Sequence, residues 1–322
     1  MRQFRLTTIL TLGLVLPILP AEAQTWPAQP LRVIVPIAAG SLTDIVPRVV
    51  CEQLSTQLRQ NVIIENRPGA GSTIGSLFVA RADPDGYTIL ANSSAHTIAP
   101  ALYANLHYDP KRDFAAVALL GSSPFVLVVP PARDFKAARE LVAAAKAKPG
   151  AFNFASPGVG TASHLSAERF LLSAGMRAVH IPFKGGAEAM TEVIAGRIDF
   201  FFVALGAALP LIRDGKLTAL AVNSGKRSAL LPDVPTTSEA GFTNAEYPTW
   251  IGLFLPAKAP REIVDRLHRE TFKALQEPKV RERLVALGVD PLDMTPSQFD
   301  AYVEKEVADD AALVKAIGLR AQ

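Results

Sequence analysis

The chain has 322 residues, with 33 Lys and Arg against 30 Asp and Glu and a formal net charge of +3. At 49 % hydrophobic and 20 % charged it is too apolar for a disordered chain, and so small a basic surplus gives no electrostatic case for nucleic acid or an anionic membrane. The length fits one large domain or two of about 150 residues, and the single cysteine, Cys51, excludes an internal disulfide or a multi-cysteine metal site.

Residues 1–23 read as a secretory signal peptide. Arg2 and Arg5 precede an apolar run from Leu6 to Pro20, and Ala21-Glu22-Ala23 supplies the small-x-small cleavage pattern. The run is shorter than the about 20 residues a membrane-spanning helix needs. No cysteine follows the cleavage site, which excludes a lipoprotein anchor, and the missing Arg-Arg pair favours general secretion. The mature chain then starts near Gln24. In a two-membrane bacterium its compartment is the periplasm. Removing Arg2, Arg5 and Glu22 leaves 31 basic and 29 acidic residues, a net charge of +2.

The mature chain alternates strand, glycine turn and helix. A strand over 31–36 turns at Gly40-Ser41 into a helix carrying Ile45, Val49, Leu54 and Leu58 at helical spacing. Strands follow over 61–65, 87–91 and 124–129, with a helix over 73–81 between the first two. Then come a helix over 137–147, a strand over 152–155, a helix over 162–174, a strand over 178–181 and a helix ending at Ala195. A strand over 198–203, a helix over 206–214 and strands over 217–222 and 250–255 complete the alternation, and helices over 261–275, 279–287 and 297–317 end the chain. Such alternation predicts an α/β protein with two parallel or mixed sheets and helices on both faces. The units exceed one small sheet, and no low-complexity tether separates them. The expected domains are 24–122 plus 246–322 as lobe 1 and 123–245 as lobe 2, joined by crossing strands near Ser122-Ser123 and Glu246.

Four strand–glycine–helix junctions could carry binding chemistry: Gly40-Ser41-Leu42-Thr43-Asp44, Gly69-Ala70-Gly71-Ser72-Thr73, Gly158-Val159-Gly160-Thr161-Ala162-Ser163, and Gly185-Gly186. Ligands of open α/β sheets bind beyond the carboxyl ends of the strands, where such junctions collect. A helix start offers unpaired N–H groups and partial positive charge, and serine and threonine add hydroxyl donors. Together the junctions describe a site for a carboxylate or another small anion.

Catalytic motifs are missing. There is no Gly-x-Ser-x-Gly elbow, no phosphate loop, and Gly69-x-Gly71-x-x-x-Gly75 has one residue too many for a dinucleotide fingerprint. The five histidines show no metal-ligand spacing. His164 follows Ser163 directly, and adjacent residues on a helix point apart, so it reads as packed near a helix start. Cys51 reads as buried and inert, Trp26 and Trp250 as packing residues, and the Arg261–Arg269 and Lys279–Arg283 charges as solvated helix faces. Tyr247, near the return crossing, is a candidate for lining the cleft. No cofactor and no metal is expected.

Several segments carry a family resemblance: Trp26-Pro27-x-x-Pro30, Val35-Pro36 with Gly40 and Thr43-Asp44, Glu65-Asn66-Arg67-Pro68-Gly69-Ala70-Gly71, Pro84-Asp85-Gly86-Tyr87-Thr88, Tyr108-Asp109-Pro110, Gly160-Thr161 with Ser163-His164-Leu165, Pro182-Phe183-Lys184-Gly185, and Pro232-Asp233-Val234-Pro235-Thr236. On these the chain resembles the Bug family, exported solute receptors of tripartite tricarboxylate transporters. The resemblance implies a two-lobe periplasmic-binding-protein fold of type II, closing on a small organic carboxylate without chemistry and delivering it to membrane transporter subunits. It further implies a site formed by the first loop (Ile37 to Asp44, hence Ala39, Gly40, Ser41, Thr43 and Asp44), by Gly71 and Ser72, by Ser93 and Ser94, and by Gly160, Thr161 and Ser163. No nucleic acid is expected as a partner, and the chain is expected to act as a monomer.

Two positions depart from the family pattern. The first loop reads Ile37-Ala38-Ala39-Gly40-Ser41 in place of Phe-Pro-Pro-Gly-Gly, and Val203-Ala204 stands where an Asp-Asn pair is common. With Val203 in the pocket wall, an amino-acid ligand is disfavoured and a plain or apolar carboxylate favoured. An exported hydrolase on the same architecture, or a ligand sensor acting through a membrane kinase, remains an alternative.

Overall fold

The computed structural model describes residues 26–319; the expected leader and its cleavage site lie outside them. The described chain runs β1 (Leu31–Val35), α1 (Leu42–Leu58), β2 (Val62–Asn66), α2 (Thr73–Ala80), β3 (Thr88–Ser93), α3 (Ala95–Leu102) and β4 (Phe114–Ser123). It continues through β5 (Phe125–Val129), α4 (Ala138–Ala147), β6 (Asn153–Ser156), α5 (Ala162–Ala174), β7 (Val179–Pro182), α6 (Gly186–Ile194), β8 (Phe200–Ala204), α7 (Leu205–Arg213) and β9 (Thr218–Val222). It ends with β10 (Thr249–Pro256), α8 (Arg261–Gln276), α9 (Pro278–Ala286) and α10 (Pro296–Ala316).

Two five-stranded sheets result, each the core of one lobe. The first has the order β2-β1-β3-β10-β4 and the second β7-β6-β8-β5-β9. Both are mixed. β1 pairs in parallel with β2 and β3, and β6 with β7 and β8. β10 lies antiparallel between β3 and β4, and β5 antiparallel between β8 and β9. The expectation of parallel or mixed sheets holds, and these two strands supply the antiparallel part. β4 and β5 are separated by Pro124 alone yet belong to different sheets, so the chain passes from one lobe to the other at this point.

The two faces of each sheet carry separate cores. In the first lobe Val33 and Val35 pack with Val50 and Leu54 of α1 and Leu267 of α8, while Ile34 and Leu90 face the opposite way onto Trp250, Phe254 and Phe299 of α10. In the second lobe Phe200 and Phe202 pack on Phe170 of α5, while Phe201 and Val203 face Val193 of α6 and Leu205 of α7. This two-residue alternation is the strand period. Among the described residues no helix is long and apolar enough to cross a membrane.

The lobes meet at the chain crossings, and Asn223 ties the crossings together. Fully buried, its Oδ1 accepts from Phe125 N–H at 2.7 Å and its Nδ2 donates to Tyr247 O at 2.7 Å. Behind it, Ile98, Leu165, Tyr247, Leu313 and Val314 form an apolar cluster shared by α3, α5 and α10. Tyr247 donates its phenolic proton to Asp310 in this cluster. Burial raises the Asp310 carboxyl to about 6, only partly offset by that bond.

Candidate functional site

A cavity of about 360 Å³ lies between the lobes. The loops after β1, β2, β3 and β6 line it, together with Ala204 at the end of β8 and with Phe125 and Thr249, which begin the crossing strands.

The first-lobe wall is the start of α1. Ser41 occupies the N-cap, yet its side chain makes no capping bond; Asp44 N–H donates instead to the Ser41 carbonyl at 3.0 Å. The Ser41 hydroxyl is buried without any protein partner, and Ser41 and Thr43 both line the cavity. The first N–H groups of a helix have no intrahelical acceptor, so α1 offers an anion both these groups and that hydroxyl.

Asp44 holds the wall in place from behind. Its Oδ2 accepts from Gly40 N–H at 2.9 Å, and its Oδ1 accepts from Arg48 Nη2 at 2.8 Å and Asn66 Nδ2 at 2.8 Å. Asn66 Nδ2 also donates to Ile37 O at 3.0 Å. Burial pushes the Asp44 carboxyl upward, but the bonds from Arg48, Gly40 and Asn66 outweigh it and leave it below its ordinary range. The carboxylate therefore stays charged and fully engaged by the loop.

The second-lobe wall is the start of α5, and a neutral network supports it. Thr161 caps α5, accepting from His164 N–H at 3.3 Å and donating to Gly158 O at 2.8 Å. Ser163 Oγ donates to Phe202 O. Gly160 N–H donates to His164 Nδ1 at 3.1 Å, which puts the imidazole proton on Nε2. Nε2 lies 3.5 Å from Glu168 Oε1. His164 stacks on His180 with centroids 3.8 Å apart, and His180 Nε2 meets Ser156 Oγ at 2.7 Å. Burial, then the neighbouring His164, lowers His180 to about 4.

Gly160 has φ +75, a conformation that favours glycine, and a Cβ there would press on the side-chain tip of Leu102 of α3 across the cleft. Gly206 of α7 likewise sits against the carbonyl of Leu287 from the first lobe, too close for a side chain.

Of the sequence-derived site residues, the structure places Ser41, Thr43, Gly71, Ser72, Ser93, Ser94, Gly160, Thr161 and Ser163 on the cavity wall. Four others stand elsewhere. Ala39 and Gly40 form the outer, exposed part of the loop, and Asp44 points back into it. Val203 is buried among Val126, Val128 and Phe201; the next residue, Ala204, reaches the cavity, because successive strand residues face opposite sides. The Gly185-Gly186 junction is also off the cavity. Tyr247 is buried in the cluster behind the crossings instead of lining the cleft. Cys51 is buried, and burial pushes its thiol up to about 12. No group of His, Cys, Asp and Glu able to hold a metal occurs among the described residues.

Sequence reasoning missed the contribution of α3, which brings Ile98, Leu102 and Tyr103 to the cavity, and the tie at Asn223. The short spacing from Ser94 to Leu102 carries the signal for α3, but Pro100 inside the segment hides it.

Comparison with known proteins agrees with this architecture. Residues 46–319 match the family described as "Tripartite tricarboxylate transporter family receptor". Protein BugT of Bordetella pertussis is 34 % identical over 303 residues, covering 94 % of this chain and 93 % of that protein. The solved structure of the periplasmic binding protein BugD superposes with a TM-score of 0.78 at 34 % identity, over 92 % of this chain and all of that one. A Rhodopseudomonas palustris protein solved with adipate gives a TM-score of 0.82 at 28 % identity over the same share of this chain. With two α/β lobes facing each other across a cavity built from helix starts, and a family match over most of its length, the chain belongs to the solute-binding receptors of the tripartite tricarboxylate transporter family.

Proposed function

We propose that the protein captures a small organic carboxylate in the interlobe cavity and delivers it to membrane transporter subunits, acting in the periplasm as a monomer after removal of its leader near Ala23. Residues 24–122 with 246–322 form lobe 1 in this reading, and residues 123–245 form lobe 2. Capture involves no chemistry: the lobes close on the ligand and the closed shape is what the membrane partner reads.

One observation carries the reading. The starts of α1 and α5, from opposite lobes, meet at one cavity, and the buried Ser41 hydroxyl there has no protein partner. Unpaired helix-start N–H groups supply donors without acceptors, and the unpartnered Ser41 hydroxyl can turn its O–H toward the same anion, which suits a carboxylate. A carboxylate touching both helix starts would hold the lobes together, so binding and closure become one event.

The test is a thermal-shift screen of the protein from Gln24 against mono-, di- and tricarboxylates, aromatic acids and amino acids. A ligand at about 100 times its Kd stabilises the folded state by about 2.7 kcal/mol, which raises Tm by several degrees. The expected result is a clear shift with an acid recovered unchanged. Consumption of the acid would overturn the non-catalytic reading, and no shift with any acid would overturn the carboxylate reading.

A further inference from the structure

The cavity wall has a chemical asymmetry that bears on what the ligand carries besides its carboxylate. None of the residues lining it is Lys, Arg, His, Asp or Glu. The nearby charges are engaged elsewhere: Asp44 with Arg48, Gly40 and Asn66, and Glu168 alongside His164 on the far side of the α5 start. On the second lobe the hydroxyls are engaged as well, Thr161 with Gly158 and Ser163 with Phe202, which leaves backbone N–H groups as its donors.

On the first lobe the wall's polar side-chain groups are hydroxyls alone, Ser41, Thr43, Ser72, Ser93, Ser94 and Thr249, with Ser94 and Thr249 paired to each other at 3.2 Å. Between these hydroxyls stand the larger apolar side chains Ile37, Ile98, Leu102, Phe125 and Val159 and the ring of Tyr103, and Ala204 presents only a methyl group. The volume of about 360 Å³ corresponds to roughly a dozen waters' share of liquid, room for a ring or a branched chain beside one carboxylate.

A second ligand carboxylate would meet no counter-charge here, and a ligand ammonium would meet no free carboxylate. A charge moved from water into such surroundings is strongly disfavoured unless it is paired, whereas a hydrocarbon body gains from leaving water. We propose that the ligand is a monocarboxylate with an uncharged, apolar body, and that the side chains at Phe125, Leu102 and Ala204 select against a second charge. This rests on the carboxylate-receptor reading above and sets the chain apart from the R. palustris protein solved with the diacid adipate.

The experiment titrates the protein from Gln24 calorimetrically with matched pairs: 4-methylbenzoate against terephthalate, hexanoate against adipate, and 3-phenylpropionate against phenylalanine. The uncharged-body member of at least one pair is expected to bind 100-fold or more tightly than its partner, which is about 2.7 kcal/mol. A second measurement repeats hexanoate and adipate at falling pH. Adipate is expected to gain affinity as it nears the ordinary carboxyl range of about 4.3 and becomes a monoanion, while hexanoate does not. A diacid or amino acid that binds as tightly as its partner at neutral pH overturns the proposal and leaves the carboxylate-receptor reading standing. Absence of binding by every member of every pair, together with an empty wider screen, overturns both.

Discussion

The two walls of the cleft present the same element, the start of a helix, and fix it by opposite means. Behind α1 the support is ionic, a buried carboxylate gathering Gly40, Arg48 and Asn66. Behind α5 it is neutral, an imidazole accepting from Gly160 and stacked on a second imidazole. Neither support touches the cavity. A carboxylate site can thus be positioned by a negative charge, provided that charge is saturated by the loop it holds and turned away from the ligand. The difference also assigns each wall its own response to acid.

Removing the ionic support has the largest expected effect. Asp44→Ala strands the Arg48, Asn66 and Gly40 donors, and breaking several charge-assisted bonds at a buried carboxylate costs about 2–4 kcal/mol of stability. Chemical denaturation measures that loss. Ligand affinity should fall at least 100-fold, since the free Ser41 hydroxyl and the α1 start move with the loop.

A pH control separates the walls from the hinge. Asp310, raised to about 6 from an ordinary 3.8, holds its proton in the folded state where the unfolded chain has released it. Its contribution is present below pH 3.8 and is lost as pH rises through about 6. Asp310→Asn should therefore flatten the decline of stability between these values, by about 3 kcal/mol at neutral pH relative to wild type. Unfolding free energies of both proteins at several pH values decide it.

His164→Leu removes the acceptor for Gly160 N–H behind the second wall. One lost neutral hydrogen bond at a buried amide amounts to about 1–2 kcal/mol, less than the loss at Asp44. An equal or larger loss would show that the neutral wall carries more of the site than its bonds indicate.

The smallest effect is local and sharpens the contrast. His180, lowered to about 4 from 6.5, is uncharged in the folded state; its contribution is present above pH 6.5 and lost as pH falls toward 4. Asp44, lowered below an ordinary 3.8, loses its contribution only below that value. At pH 5 the Gly160 amide should exchange with solvent faster, relative to its intrinsic rate, than at neutral pH, while the Gly40 amide should not. Amide hydrogen exchange reads both.

Much of the fold was legible because strand–turn–helix alternation with β-branched strands has few other readings. The helices from Arg261 onward were legible for the same reason of period. β4 was not, because Phe-Ala-Ala-Val-Ala-Leu-Leu-Gly-Ser-Ser is buried on both faces and rich in alanine, so it lacks alternation and has one β-branched residue, Val117. At the site, the glycine junctions and their hydroxyl residues could be read because the local chain itself makes the helix start. Val203 could not be resolved from Ala204, since a one-residue choice of strand register reverses which side chain faces the ligand. Asn223 and Leu102 were out of reach because their roles depend on partners about 100 and 60 residues away in sequence, Phe125 and Gly160.

The absence of charged side chains from the cavity wall has a kinetic consequence. A cleft lined with cations draws anions in from a distance, and its capture rate falls steeply as salt rises. Peptide dipoles act only at contact. With no charged side chain in this wall, the cleft itself adds little salt-dependent steering, and discrimination falls to the contacts a ligand makes once inside. Abundant inorganic anions therefore gain no preferential attraction from the wall of the cleft.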